Sequence, residues 1–273
     1  MLKIFCMIRH EAPLVYFVNK INERHKISLA VVESPSVKKR IISKIRSKGI
    51  LGVISGINNR LLEKVGGHKK INDWNYRFGN KWRSIDSGIP ILKVDDINAQ
   101  VVDERLKEEQ PDLILDHGTS IVKDRIIKTA KLALNLHWGL SPYYRGSSCT
   151  EWALINRDPF NIGVTIHKLI KNIDGGDILA QKRAVIKPGD TVHSINMQLT
   201  QMGTELVIRA IDKIRSNEQL RFETQNFSSG FLTLNRQWSG HLRRQIEYIE
   251  KNNLIASMLR HPARKKRLPT VEL

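Results

Sequence analysis

Short apolar segments alternate with segments of helical pattern along most of this chain. Residues 2–7 are apolar, residues 14–21 repeat apolar side chains at helical spacing, and residues 27–32 are apolar again. Such a β-α-β opening favours parallel pairing of the two strands. The alternation resumes after residue 88 and runs to a strand that ends at His137. It predicts an α/β fold: a Rossmann-like, open, mostly parallel twisted sheet with helices on both faces.

Two basic segments stand apart from this alternation. The stretch at about residues 37–87 fits no strand-helix pattern and is read as an insertion, and the end of the chain carries "RHPARKKRLP". A long amphipathic helix is predicted to begin at Asp190 or Thr191. We therefore expect a main domain over residues 1–216 that includes the insertion, followed by a basic, mainly helical extension over residues 217–273.

The charge balance indicates an anionic partner. The formal net charge is +18, which suits a nucleic acid, a phosphorylated substrate or an anionic membrane surface. No apolar run approaches the roughly 20 residues that span a bilayer, and the apolar start is too short for a signal peptide. Two cysteines are too few for a disulfide framework. A reducing cytoplasm is the expected location.

Asn135 and His137 carry the clearest chemical signal. They end a predicted strand two residues apart, so both side chains project to one side. In open α/β sheets ligands bind beyond the carboxyl ends of the strands. An amide beside an imidazole suits a developing oxyanion, and the imidazole can carry a proton near neutral pH. Asp174, in the turn "IDGGD", is the candidate that orients the histidine, although an aspartate there is also an ordinary turn-former.

The order of these motifs resembles the folate-dependent formyltransferases. "LNLHWGLSPYYRG", "EWALIN", "IGVTIHKL" and "IDGGDIL" follow one another as in that family, from about residue 112 to residue 210. Seven positions match its motif residue by residue: Asn135, His137, Pro142, Tyr144, Arg145, Gly146 and Asp174. The family includes glycinamide ribonucleotide transformylase, methionyl-tRNA formyltransferase and nucleotide-sugar N-formyltransferases.

The resemblance implies that 10-formyltetrahydrofolate donates its formyl group to an amine. Asn135 and His137 would then stabilise an oxyanion, and Asp174 would hold the histidine and assist proton transfer. The resemblance also implies that folate contacts two loops, through Ser120 and Ile121 in the first and Ile170, Lys171, Asn172 and Ile173 in the second.

Some positions depart from the family or allow two interpretations. Trp138 and Gly139 stand where the family usually has proline and serine, so the loop after the histidine is reshaped, and "DHGTS" replaces a more apolar loop. Arg145, with Gly146, is a candidate for binding the substrate, although Arg145 packing against the following helix is an equal alternative. His117 and His167 are interpreted as structural or solvent-facing. The histidines have no metal-motif spacing, and no metal is expected.

The acceptor is expected to be a small anionic amine. We favour the amino group of a nucleotide-linked or otherwise phosphorylated amino sugar for surface glycan synthesis. One alternative is an enzyme that acts on aminoacyl-tRNA, which the positive charge would suit. Another is a non-catalytic relative that binds RNA or an anionic membrane through "KKRIISKIRSK". The sequence does not indicate an oligomeric state.

Overall fold

The structure is a computed structural model, and it describes residues 2–36, 39, 67–260 and 268–273. Most of the basic insertion lies outside these residues. The strands, in chain order, are β1 (Ile4–Arg9), β2 (Ile27–Glu33), β3 (Ile91–Val94), β4 (Leu113–His117), β5 (Leu132–His137), β6 (Tyr144–Gly146), β7 (Gly163–Lys168), β8 (Ile178–Arg183) and β9 (Phe231–Thr233).

Helices connect and flank these strands. Within the described residues they are α1 (Ala12–Asn22), α2 (Gly67–Phe78), α3 (Gln100–Glu109), α4 (Asp124–Ile127), α5 (Cys149–Ile155), α6 (Val192–Arg215), α7 (Gly240–Lys251) and α8 (Leu254–Arg260). The side chain of Thr191 accepts a hydrogen bond from Ser194 N, so a capping box starts the predicted long helix α6.

One seven-stranded sheet has the order β3-β2-β1-β4-β5-β7-β8. The first five of these strands pair in parallel, whereas β7 runs antiparallel to both β5 and β8. The chain moves outward from β1 in one direction and returns at β4 to move in the other. The predicted α/β fold is therefore confirmed, and ligands are expected beyond the carboxyl ends of the central strands.

Alternate side chains of β1 enter two separate cores. Ile4, Cys6 and Ile8 belong to a large cluster on one face of the sheet, together with residues of α1 and α6. Phe5 and Met7 belong to a smaller cluster on the other face, which α3 and α4 cover. This period-two division explains why the central strands are apolar throughout, since both faces are buried.

The segment after α6 packs onto the main core. Ile246 of α7 and Ile255 of α8 belong to the large cluster. Strand β9, which the sequence pattern did not predict, pairs with β6 in a separate two-stranded sheet. At the end of the chain, Val271 O accepts a hydrogen bond from Gln181 N of β8. The division into a main domain and an extension stays a prediction.

Helix α2 brings the aromatic end of the insertion onto the body of the protein. Phe78 lies 4.3 Å, centroid to centroid, from Tyr16 of α1, and it shares a small cluster with Tyr16 and Met197 of α6. Trp74 and Trp82 pack against the same cluster. None of the helices in the described part of the chain is long and apolar enough to cross a membrane.

Candidate active site

Strand β5 places Asn135 and His137 at its carboxyl end. The strand lies between β4 and β7, with Asn135 opposite Asp116 on one side and His167 on the other. Both side chains are buried, with 8% and 7% exposure respectively. The amide and the imidazole are therefore held by the sheet rather than by a loop.

The turn between β7 and β8 brings Asp174 to this pair. One carboxyl oxygen, Oδ2, lies 3.3 Å from His137 Nδ1 and accepts a hydrogen bond of 2.6 Å from Gly146 N. The other, Oδ1, lies 3.4 Å from His167 Nε2. Asp174 has a φ of 45°, and a side chain at Gly176 would overlap the Lys168 carbonyl. The glycine therefore lets the turn fold back tightly on β7.

The surroundings of Asp174 favour its charged form. Burial acts to raise its pKa, but His137, His167 and the Gly146 amide outweigh burial and lower the pKa to about 2. Burial lowers the pKa of His137, and Asp174 opposes that change only in part. At neutral pH the site thus holds an aspartate beside a neutral imidazole, which can accept a proton.

Both ring nitrogens of His137 face hydrogen-bond acceptors. Nε2 lies 3.0 Å from the Tyr144 carbonyl oxygen, while Nδ1 faces Asp174. A neutral ring has one N–H and satisfies only one of these acceptors, whereas a protonated ring satisfies both. The Cys149 thiol also lies 3.6 Å from Nε2. This arrangement favours His137 as a group that gains a proton during a reaction.

His167 is a site residue that sequence reasoning missed. It is buried, not solvent-facing, and its Nε2 lies within 3.4 Å of Asp174 and 3.0 Å of the Asn135 amide. Its Nδ1 faces the Lys168 carbonyl oxygen at 2.8 Å. Only the pairing of β7 with β5 reveals this role, because His167 is distant from Asn135 and His137 in sequence. His117, in contrast, is structural: its ring packs between Phe17 and Trp138.

Asp116 is a second residue that the sequence did not single out. It is buried at the end of β4, and its Oδ1 accepts a 2.5 Å hydrogen bond from the Thr119 hydroxyl. Its Oδ2 lies 2.9 Å from one amide atom of Asn135. Burial raises the pKa of Asp116 to about 7, against the effect of Thr119. A carboxyl group that changes charge near neutral pH thus contacts the predicted catalytic amide.

Arg145 and Gly146 lie at the edge of the site. The Arg145 guanidinium stacks 4.3 Å from the ring centroid of Phe227, which belongs to the C-terminal segment rather than the following helix. Within the described residues Arg145 has no carboxylate partner, so its charge is available to an anionic group. Gly146, with φ of 92°, donates its N–H to Asp174.

The C-terminal segment secures this loop from outside. Thr233 Oγ1 lies 2.7 Å from the Ser147 carbonyl oxygen and 3.0 Å from that of Arg145, so its single O–H bridges the two, and Ser147 N donates to Thr233 O. Gln225 Nε2 donates to the Asp174 carbonyl oxygen at 2.9 Å. The extension, which carried no motif in the sequence, therefore fixes the backbone of both Asp174 and the Arg145 loop.

The two predicted folate loops follow β4 and β7, the strands on either side of β5. Ser120 and Ile121 follow β4, and Ile170, Lys171, Asn172 and Ile173 lead to Asp174. The backbone N–H of Ser120 already donates to Glu33, and the Ile121 carbonyl oxygen accepts from Asn98. The side chains of Ile121 and Ile170 are 59% and 38% exposed. In the part of the chain that the structure describes, no three side chains converge as metal ligands.

Comparison with known proteins shows which family and which solved structures this chain is similar to. Residues 80–211 match the family model for formyl transferase. Three solved structures illustrate the similarity. A sugar N-formyltransferase from Shewanella is 16% identical with a TM-score of 0.56, over 92% of this chain and 88% of its own. The N-formyltransferase from Helicobacter canadensis was solved in complex with folinic acid and dTDP-3-aminofucose. It is 17% identical with a TM-score of 0.55, and the match covers 88% of this chain and 73% of its own.

Glycinamide ribonucleotide transformylase 1 from Symbiobacterium toebii is 16% identical with a TM-score of 0.54, over 83% of this chain and 95% of its own. At these identities the structures share a fold. Residues 80–211 are thus similar in sequence to the formyl transferase family, and the chain shares its fold with these solved formyltransferases.

Proposed function

We propose that this protein is an N-formyltransferase that moves a formyl group from 10-formyltetrahydrofolate to a primary amine. The observation that carries the proposal is the position of Asp174, whose carboxylate lies 3.3 Å from His137 Nδ1 and 2.6 Å from Gly146 N. The carboxylate thus joins the end of β5 to the Arg145 loop. An amide, an imidazole and an aspartate suit acyl transfer to an amine.

Each residue has a separate task in this proposal. Asn135 and His137 donate hydrogen bonds to the oxygen that gains negative charge when the amine attacks. Asp174 holds the imidazole, while His137 takes up the proton that the amine loses and passes it to the nitrogen of the departing tetrahydrofolate. Because His137 is already flanked by two acceptors, it becomes better satisfied when it is protonated.

Folate fits the loops beside the site. 10-Formyltetrahydrofolate supplies the formyl group, and the exposed apolar side chains of Ile121 and Ile170 offer surface for its flat ring. The Helicobacter canadensis structure contains folinic acid, which supports a folate donor. Since the Ser120 N–H is engaged by Glu33, we propose that this loop contributes mainly through side-chain packing and remaining polar groups.

We propose that the acceptor is the amine of an amino sugar carried on a nucleotide or another phosphorylated group. Arg145 supports an anionic acceptor because its guanidinium lies next to the Asp174–Gly146 contact and has no carboxylate partner among the described residues. The complex of this fold with dTDP-3-aminofucose points the same way. The net charge of +18 keeps aminoacyl-tRNA as the second candidate. In either role we propose a cytoplasmic enzyme.

The test is to incubate the protein with 10-formyltetrahydrofolate and a panel of amines, and to follow folate release by absorbance. The panel contains nucleotide-linked amino sugars, free amino sugars and aminoacyl-tRNA. We expect turnover with a phosphorylated amine, and turnover lost in Asp174→Asn but kept in Asp177→Asn. Asp177 is a matched control because it lies in the same turn and pairs with partly exposed Lys168. No formyl transfer to any amine would overturn the proposal.

A further inference from the structure

The amide of Asn135 lies between an acid and an imidazole. One of its two terminal atoms is 2.9 Å from Asp116 Oδ2 and 3.1 Å from the Asp116 carbonyl oxygen. The other is 3.0 Å from His167 Nε2, and on the same side Asp174 Oδ1 is 3.5 Å from the amide. Hydrogen bonding therefore decides which end carries the nitrogen.

His167 constrains this choice through its far side. Its Nδ1 faces the Lys168 carbonyl oxygen, which can only accept, so Nδ1 carries a hydrogen. If the ring is neutral, Nε2 is an acceptor and the Asn135 nitrogen must face it. If the ring is cationic, Nε2 is a donor and the Asn135 oxygen must face it.

Asp116 constrains the other end in a matching way. An ionised Asp116 only accepts, so the Asn135 nitrogen turns toward it and donates to both Oδ2 and the carbonyl oxygen. A protonated Asp116 donates through Oδ2 to the Asn135 oxygen, which leaves the nitrogen facing His167 and Asp174. The second state tolerates one unfavourable approach, between the Asn135 oxygen and the Asp116 carbonyl oxygen.

We propose that Asp116 is a positioning residue for formyl transfer, and that its protonated form turns the Asn135 N–H groups toward Asp174 and the reacting oxygen. The proposal rests on the proposed function, since it concerns the same reaction. The proton on Asp116 thus sets the direction of the amide. When Asp116 loses its proton, the amide donates to Asp116 instead of to the reacting group.

The environment of Asp116 supports a change of charge near neutral pH. The carboxyl is buried, its pKa is about 7, and the groups that face it are the Thr119 hydroxyl, Glu33, Asp174 and His167. Glu33 is itself fixed by hydrogen bonds from Ser120 N and Ile97 N, and by Arg9. The neighbouring acids disfavour a charge on Asp116, whereas Thr119 and His167 favour it.

The test compares kcat of the wild type and of Asp116→Asn across pH 5.5 to 9. The amide that this substitution introduces can donate permanently to the Asn135 oxygen, as a protonated acid does. We expect the variant to stay active. The ratio of wild-type kcat to variant kcat should fall about tenfold per pH unit above pH 7, because ionised Asp116 no longer orients the amide. The ratio cancels the ionisation of the acceptor amine. A constant ratio across this range would overturn the proposal.

Thr119→Val supplies a second variant that is independent of Asp116→Asn. It removes the hydrogen bond that favours the ionised carboxyl, so the alkaline fall of kcat should move to higher pH. A fall at unchanged pH would contradict the role of Asp116. If neither the wild type nor any variant transfers a formyl group, the proposed function itself fails.

A readout without turnover separates these outcomes further. Nitrogen-15 shifts of the Asn135 side-chain amide report which groups the amide donates to. We expect these shifts to change between pH 6 and pH 8 in the wild type but not in Asp116→Asn. Equal changes in the two proteins would overturn the role of Asp116.

Discussion

The backbone of Gly139 lies against the imidazole of His137 so closely that a β-carbon at position 139 would overlap Nε2. It would also overlap the Tyr144 carbonyl oxygen, the acceptor that faces Nε2. Gly139→Ala must therefore displace the ring or break this contact. We expect kcat to fall about 10²-fold or more, as for a misplaced catalytic group, with little effect on folate affinity.

Gly88→Ala is the control for that substitution, because no atom lies within 4 Å of the added methyl group. It should leave kcat unchanged. Steady-state kinetics and a folate titration measure both variants. Normal kcat in Gly139→Ala would show that the contact between His137 and Tyr144 O does not matter for turnover.

Asp174 and His137 should act as one unit. Asp174→Asn keeps the shape but removes the charge, so kcat should fall by about 10²–10⁴, and His137→Ala should reduce turnover at least as much. The double variant should be scarcely slower than His137→Ala alone, because each loss disables the same proton path. Losses that multiply in the double variant would indicate two separate paths.

A folate analogue should stabilise the protein. At 100 times its Kd, 5-formyltetrahydrofolate should add about 2.7 kcal/mol to the free energy of unfolding, or about 5–10 °C in Tm for a chain of this size. Ile121→Asp should reduce this rise in Tm, because we propose that Ile121 packs against the folate ring. Val101→Asp, which changes an exposed side chain on α3, should not. Differential scanning fluorimetry measures all three proteins.

Stability should fall as pH rises through the range in which Asp116 ionises. Burial raises the pKa of Asp116 from 3.8, the value expected in the unfolded chain, to about 7 in the folded protein. The contribution of protonated Asp116 to the free energy of unfolding is therefore complete below pH 3.8 and is lost between pH 3.8 and 7. The slope that Asp116 adds is at most about 1.4 kcal/mol per pH unit. Urea denaturation of wild type and Asp116→Asn should show this slope as a difference. Parallel curves would mean that Asp116 does not change charge.

The role of the basic insertion in binding an anionic partner stays a prediction, because most of the insertion lies outside the described residues. Replacing Lys38, Lys39 and Arg40 with Gln should weaken acceptor binding, or association with anionic vesicles, and leave folate binding intact. A steep dependence of acceptor affinity on salt would favour tRNA, whereas a shallow one would favour a sugar diphosphate. Unchanged binding of every acceptor and vesicle would assign the charge to a solvated surface.

Local patterns predicted the parts of the fold and site that depend on local chemistry. The capping residue Thr191 marked the start of α6, and the spacing of Asn135 and His137 placed both side chains at the end of one strand. The contacts of Asp116 and His167 could not be read in the same way, because they depend on which strands become neighbours of β5. Strand β9 has three residues, too few for a periodic signal.

The pairing of β9 with β6 has a consequence for how the protein is made. A ribosome that has released the chain as far as the end of α6 has already supplied Asn135, His137 and Asp174. The chain at that stage lacks Gln225, which holds the Asp174 carbonyl, and Thr233, which holds the Arg145 loop. The proposed catalytic groups are therefore synthesised before the segment that fixes them. A nascent or prematurely terminated chain carries all three in an unassembled form, and we expect formyl transfer only once the C-terminal segment has been made.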